Sequence, residues 1–258
     1  MQVTAAGVLA ALLAFGTVAG AAASGCGSRS SEPRFTVLVF TKTTGFRHDS
    51  IPAGIQAVKE LGAADKFAVE TTEDAGMFTT AGLRRYRVVV FLNTTGEVLD
   101  PAQRSAFEGY VRSGNGFVGI HSASDTEHGW PFYGALVGAY FASHPAVQPA
   151  TVIVEDHRHP ATAHLPATWS RTDEWYNFRS SVRGRVRVLA RLDESSYSGG
   201  TMGADHPFAW CQEYAGGRSF YTAGGHTIES YTEPAFREHL LGGIRYAAGV
   251  APADCTPG

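Results

Sequence analysis

The sequence predicts an α/β domain: a doubly wound, mostly parallel sheet with added strands in its second half. Short runs at 35–41 and 87–93 are apolar, β-branched and aromatic almost throughout, as strands buried on both faces of a parallel sheet are. Each is followed by a helix-compatible stretch instead of a hairpin turn, the alternation that βα units produce. From residue 150 onward, strand-like stretches follow one another closely, which predicts antiparallel or mixed strands joined to the same sheet.

Taken in order, the first strand at 35–41 leads into a helix at about 52–62. The second, at 87–93, is followed by Asp100-Pro101, an N-cap with proline in the first helical turn, and Gly114 ends that helix. A third strand at 116–120 precedes a helix at about 131–137. Strands are predicted at 150–155, 168–178, 186–192, 208–214 and 218–222, and a final helix over 234–248 closes the domain against the sheet.

The first 25 residues contain no Lys, Arg, Asp or Glu, and 5–23 is nearly continuous Ala, Val, Leu, Gly and Phe with a small-residue exit. Such a stretch predicts a cleaved export signal over 1–25. Ala23-Ser24-Gly25-Cys26 is similar to a bacterial lipoprotein box, with Ala23 where such boxes usually carry Leu, and predicts lipidation at Cys26. The polar, small-residue segment 26–34 then serves as a linker, 35–249 as the folded domain and 250–258 as a tail. The protein is expected outside the cell, anchored to the outer face of a bacterial membrane through lipid alone, or secreted. Cys211 and Cys255 remain, either paired with each other or both free.

The net charge is -3 and Lys/Arg runs are absent, which excludes the concentrated basic face that nucleic-acid binding requires and favours a small ligand. In an open parallel sheet, ligands bind beyond the carboxyl ends of the strands. After the first strand, Lys42 to Ser50 offers Arg47 and His48 ahead of a helix start, with Asp49 or Ser50 read as the helix cap. Gly119-Ile120-His121-Ser122-Ala123 has the small flanking residues of a strand-to-helix elbow, with His121 at its tip, where it can bind metal or move protons. Gly224-Gly225-His226 gives a second strand-end histidine, with Glu229 three residues on to orient it.

Asp173-Glu174-Trp175-Tyr176 sets acids beside aromatics. Desolvation of Glu174 would raise its pKa for acid/base work, and Trp175 would stack on a sugar face or pack in the core. Asp125, Glu127 and His144 are expected to line the same mouth. His157, His159 and His164 match no metal-ligand spacing and read as a surface loop, and His128, His206 and His239 are assigned no role either. The glycines form no phosphate cradle, so no nucleotide cofactor is expected.

The segments Phe40 to Ile51, Gly119 to Ala123, Asp173 to Tyr176, and Gly217-Arg218 through Gly225-His226-Thr227, in that order, resemble the ThuA-like family over roughly residues 35–249. The resemblance implies a flavodoxin-like sheet of the class I glutamine amidotransferase type, whose enzymes place a cysteine at the elbow and a histidine after a late strand. Here His121 occupies the cysteine position and His226 the histidine position, so glutamine hydrolysis is disfavoured. The resemblance further implies trehalose utilisation and the processing of oxidised or keto sugars, by an enzyme that hydrolyses, eliminates or isomerises a glycoside or keto-sugar. His121, His226 and Glu174 would be catalytic, with His48, His121 and His226 holding a zinc-like divalent metal. Its rival is a cell-surface module that binds sugar in the same pocket without turning it over.

Overall fold

The computed structural model describes residues 1–7 and 32–258. The export signal and Cys26 lie outside the described residues, apart from the first seven.

From residue 32 the elements are β1 (Thr36–Phe40), α1 (Ile51–Asp65), β2 (Ala68–Thr72), α2 (Thr80–Leu83), β3 (Val88–Leu92), α3 (Pro101–Arg112), β4 (Gly116–Ile120), α4 (Pro131–Val137) and β5 (Phe141–Ser143). They continue with β6 (Gln148–Val154), β7 (Thr168–Asp173), β8 (Asn177–Phe178), β9 (Arg187–Asp193), β10 (His206–Tyr214), β11 (Gly217–Thr222) and α5 (Pro234–Ala248). Nine strands form one sheet in the order β2-β1-β3-β4-β11-β10-β9-β6-β7, and β5 pairs separately with β8. The first five are mutually parallel, and with β11 as the fifth strand their order is the 2-1-3-4-5 of flavodoxin-like sheets. The pairings from β11 to β7 are all antiparallel.

Local chemistry accounts for the best-defined elements. β1, β3 and β4 are buried nearly throughout, as strands covered on both faces must be. Asp100 accepts from the Gln103 N–H while the Gln103 side chain accepts from the Asp100 N–H, a complete capping box over a proline start. The covering of the sheet follows its pleat. Gly116 faces Ala247 of α5, whereas the neighbouring Phe117 meets Phe107 of α3 and Tyr133 of α4 on the other side.

Three readings of the sequence change. The expected strand 168–178 is interrupted at Glu174–Tyr176, which lets those residues leave the ladder. Ser50 occupies the N-cap of α1 but makes no cap hydrogen bond, because its hydroxyl donates to the Gly225 carbonyl 3.2 Å away and accepts from Asn93. β2 was not predicted: its residues are only half covered, so the sequence Ala-Val-Glu-Thr-Thr lacks a buried run. Cys211 and Cys255 form a disulfide, Cα to Cα 5.5 Å, which ties the tail to β10.

Candidate functional site

The site gathers at the carboxyl ends of β1, β4 and β11, where the chain turns out of the parallel sheet. His121 directly follows β4 with φ 50°, left-handed backbone that a non-glycine residue adopts only when its surroundings impose it. Those surroundings are explicit. The Tyr221 hydroxyl donates to the His121 carbonyl at 2.8 Å, and the Tyr176 ring lies 4.0 Å from the imidazole, centroid to centroid. His121 Nδ1–H donates to the Ala223 carbonyl at 2.8 Å, which fixes the tautomer and leaves the Nε2 lone pair facing the cluster.

His226 is held by its backbone. Gly225 takes φ 113°, a conformation suited to glycine, and any Cβ there would lie 2.7 Å from the Tyr231 hydroxyl. The fully buried Asp173 carboxylate accepts from the N–H groups of Gly225 at 2.8 Å and His226 at 3.1 Å, and from the Ser230 hydroxyl at 3.0 Å. Arg171 balances its charge at 2.9 Å. Asn93, itself at φ 49°, donates to Ser50 and to the Gly225 carbonyl and so joins the ends of β3 and β11 to the start of α1. Asp173 and Asn93 thus set where His226 stands, roles that the sequence reading did not assign. The signal for Asp173 was Arg171 two residues earlier on the same face of a strand.

Glu174 leaves the end of β7 and closes the cluster. Its Oε2 lies 3.4 Å from His121 Nε2 and 3.1 Å from His226 Nδ1, and those two nitrogens are 3.3 Å apart. His48 stands edge-on to both imidazoles, ring centroids 4.9 and 5.0 Å away, with Nδ1 3.4 Å from the Ser122 hydroxyl. One donor atom from each of His48, His121, Glu174 and His226 falls within 4.8 Å of the others. Glu174 Oε1 reaches outward to His144 Nδ1 at 2.8 Å.

The electrostatics follow from this packing. Burial, reinforced by the neighbouring His121 and His226, depresses His48 to about 3, so it stays neutral with a lone pair to offer. Burial pushes Glu174 up, but the hydrogen bond from His226 and the closeness of the His121 and His226 imidazoles outweigh it and hold the carboxyl well below the usual carboxylate range. That reverses the raised pKa expected from desolvation alone. Burial pulls His226 down, and its hydrogen bond to Glu174 reverses the sign, so its pKa is raised.

A pocket of about 280 Å3 opens over the cluster, lined by His48, Asp125, Phe141, His144, Glu174 and Tyr176 among others. Asp125 sits on its rim and accepts from His128 Nε2 at 2.8 Å. Other expected residues are elsewhere. Glu127 is fully buried, accepting from the N–H groups of Val98 and Leu99 and paired with Arg104 at 2.6 Å, so it is absent from the pocket lining. Trp175 is fully buried too, its indole donating to the Gln148 carbonyl, and presents no face to a ligand. Arg47 is exposed and pairs with Glu73 at 2.6 Å. Glu229 is exposed as well, and Glu174 takes the orienting part expected of it. His159 is buried and not a surface-loop residue. Tyr176, given no role from the sequence, lies tilted against His121 and lines the pocket.

A flavodoxin-like α/β domain with an imidazole and carboxylate cluster at an elbow describes a class of proteins. The ThuA family model, described as trehalose utilisation, matches residues 36–247, and the chain belongs to that family. Its description places it in sugar metabolism. A ThuA-like protein from Bacteroides uniformis is similar at 25% identity with a TM-score of 0.72, over 84% of this chain and 93% of that one. One from Parabacteroides merdae is similar at 20% identity with a TM-score of 0.71, over 86% and 92%. A β-galactosidase from Bacillus circulans shares the fold over 84% of this chain and 32% of that one, at 14% identity and a TM-score of 0.56. No curated protein matches the chain.

Proposed function

We propose that the pocket binds a zinc-like divalent metal and processes a small carbohydrate, a glycoside or keto-sugar, outside the cell. The observation that carries this reading is the triangle of His121 Nε2, Glu174 Oε2 and His226 Nδ1, with edges of 3.1, 3.3 and 3.4 Å. Ligands at metal distances of about 2.0–2.1 Å in tetrahedral geometry are separated by roughly 3.3–3.4 Å. With its Nδ1 proton committed to Ala223, His121 also points a lone pair at a carboxylate oxygen, an arrangement that is favourable only with a cation or proton between them. The Ala223 contact is the outer hydrogen bond that metal-ligating histidines ordinarily make.

His48, His121, Glu174 and His226 would hold the metal. When bound, it supplies Lewis acidity toward a sugar carbonyl or vicinal hydroxyls. His144, half exposed at the mouth and oriented by Glu174 Oε1, is placed to take a proton from the C–H beside that carbonyl and return it to a departing alkoxide. Asp125 offers a carboxylate to sugar hydroxyls, and the Tyr176 and Phe141 rings offer apolar surface to a pyranose face. This chemistry leads to elimination or isomerisation. Both described cysteines are joined in the disulfide, so neither offers a thiol for hydrolysis through an acyl-enzyme.

Elemental mass spectrometry of the purified chain tests the reading. Near-stoichiometric metal that disappears in a His121→Ala, His226→Ala double variant is expected. Absence of metal after incubation with zinc, manganese or nickel would remove the metal from the mechanism. Sugar binding that survives the double variant, with no turnover by the unaltered protein either, would favour a binding module instead, whereas turnover lost with binding retained supports the enzyme.

A further inference from the structure

In the body from residue 32 onward, the large apolar side chains that stand well exposed are Phe46, Val147, Ile228 and Val250, at 66%, 43%, 50% and 47%. The first three are brought together from separate parts of the sequence around one opening. They line a second pocket of about 250 Å3 that shares Phe46, His48 and His226 with the pocket over the cluster. Apolar surface gathered at a polar site marks a place where a ligand covers it.

The two lobes differ in character. The one described above carries Asp125, His144, Glu174 and Tyr176 and suits a hydroxylated ring. The second carries Val147, Ile228 and Thr227, and apart from the shared imidazoles its formally charged lining residues are Asp49 and Glu229, which repel an anion. Each lobe is smaller than the roughly 300–1,000 Å3 typical of ligand sites, and together they fall within that range. We propose, resting on the carbohydrate reading above, that the substrate is a glycoside with an uncharged apolar aglycone. The sugar occupies the Tyr176 lobe and the aglycone the Ile228 lobe, with the bond between them crossing the seam at His48 and His226. Phe46 stands on that seam, edge-on to His48 at 4.8 Å, and contacts both halves.

The test compares methyl and 2-naphthyl glucosides of both anomers, and 2-naphthol alone, by calorimetry on the full chain supplied with zinc. A 2-naphthyl glucoside is expected to bind at least about tenfold tighter than its methyl counterpart, since the apolar ring leaves water. Ile228→Ser, a change at an exposed position, should reduce that gain to less than about twofold and leave the methyl glucoside unaffected. Equal affinity for the two glucosides, or a gain that persists in Ile228→Ser, overturns the proposal. If 2-naphthol binds, Ile228→Ser abolishes its binding and no sugar adds to it, the carbohydrate reading fails while the apolar lobe stands. A dimer in sedimentation that Ile228→Ser dissolves, with no naphthyl binding, assigns the patch to self-association and overturns the proposal.

Discussion

His48 and His121 at the carboxyl edge of the sheet, and His239 on α5 with His159 packed against Tyr246 of the same helix, are all almost completely buried, yet only the first two belong to a site. Burial gives His48 and His239 the same depressed pKa of about 3, and His159 one of about 4. The nitrogens make the difference. His239 donates from Nδ1 to the Ala161 carbonyl and accepts at Nε2 from the Thr222 hydroxyl, so the fold uses both. His121 spends one nitrogen on the Ala223 carbonyl and turns the other toward Glu174 and His226. A buried histidine is marked as functional by an uncommitted lone pair aimed at other donors, and a perturbed pKa alone does not distinguish the two groups.

The largest expected effect tests what holds those nitrogens in place. Asp173→Ala leaves the buried Arg171 with Glu233 as its one carboxylate partner and frees the Gly225 and His226 N–H groups, so urea unfolding should show a loss of about 3–5 kcal/mol. A loss under about 1 kcal/mol would mean the loop is held by other contacts. Next, His121→Ala should weaken zinc at least about 100-fold, roughly 2.7 kcal/mol, in competition with a chromophoric chelator. His239→Gln, just as buried, should leave zinc affinity within about twofold and cost stability, about 1–3 kcal/mol through its hydrogen bonds. Equal effects of the two substitutions on zinc would erase the distinction.

The smallest effect is a dependence on pH. For His48, His159 and His239 the folded pKa lies below the ordinary 6.5, so between pH 6.5 and 5 the unfolded chain takes up protons that the folded chain refuses. Stability should therefore fall with falling pH across that window, each group contributing at most about 1.4 kcal/mol per pH unit. The Glu174 contribution, from a lowered carboxyl pKa, is lost only at lower pH, and that of His226, from a raised pKa, is lost above 6.5. The slope in chelator-treated protein should lessen by about one proton in His239→Gln, and an unchanged slope would contradict the assignment.

The parallel half was legible because each of its central strands is an unbroken apolar run and because Asp100-Pro101 and Gly114 mark the bounds of α3 through short-range chemistry. β2 was not, since an edge strand has no need of such a run. The same rule divides the site. His121 and His226 could be read from their positions after strands. Glu127 and Trp175 could not be excluded, because what turns them inward is a distant partner, Arg104 for one and the Gln148 carbonyl for the other. The sign of the Glu174 shift likewise depends on two histidines that are remote in sequence.

The four donors stand at positions 48, 121, 174 and 226, one from each successive stretch of the domain. No contiguous fragment shorter than that span contains the set, so metal affinity doubles as a signal that the whole chain has come together. Cut in the exposed loop near Pro145, the protein becomes two halves with two donors each, and zinc capture on mixing would report their reassembly.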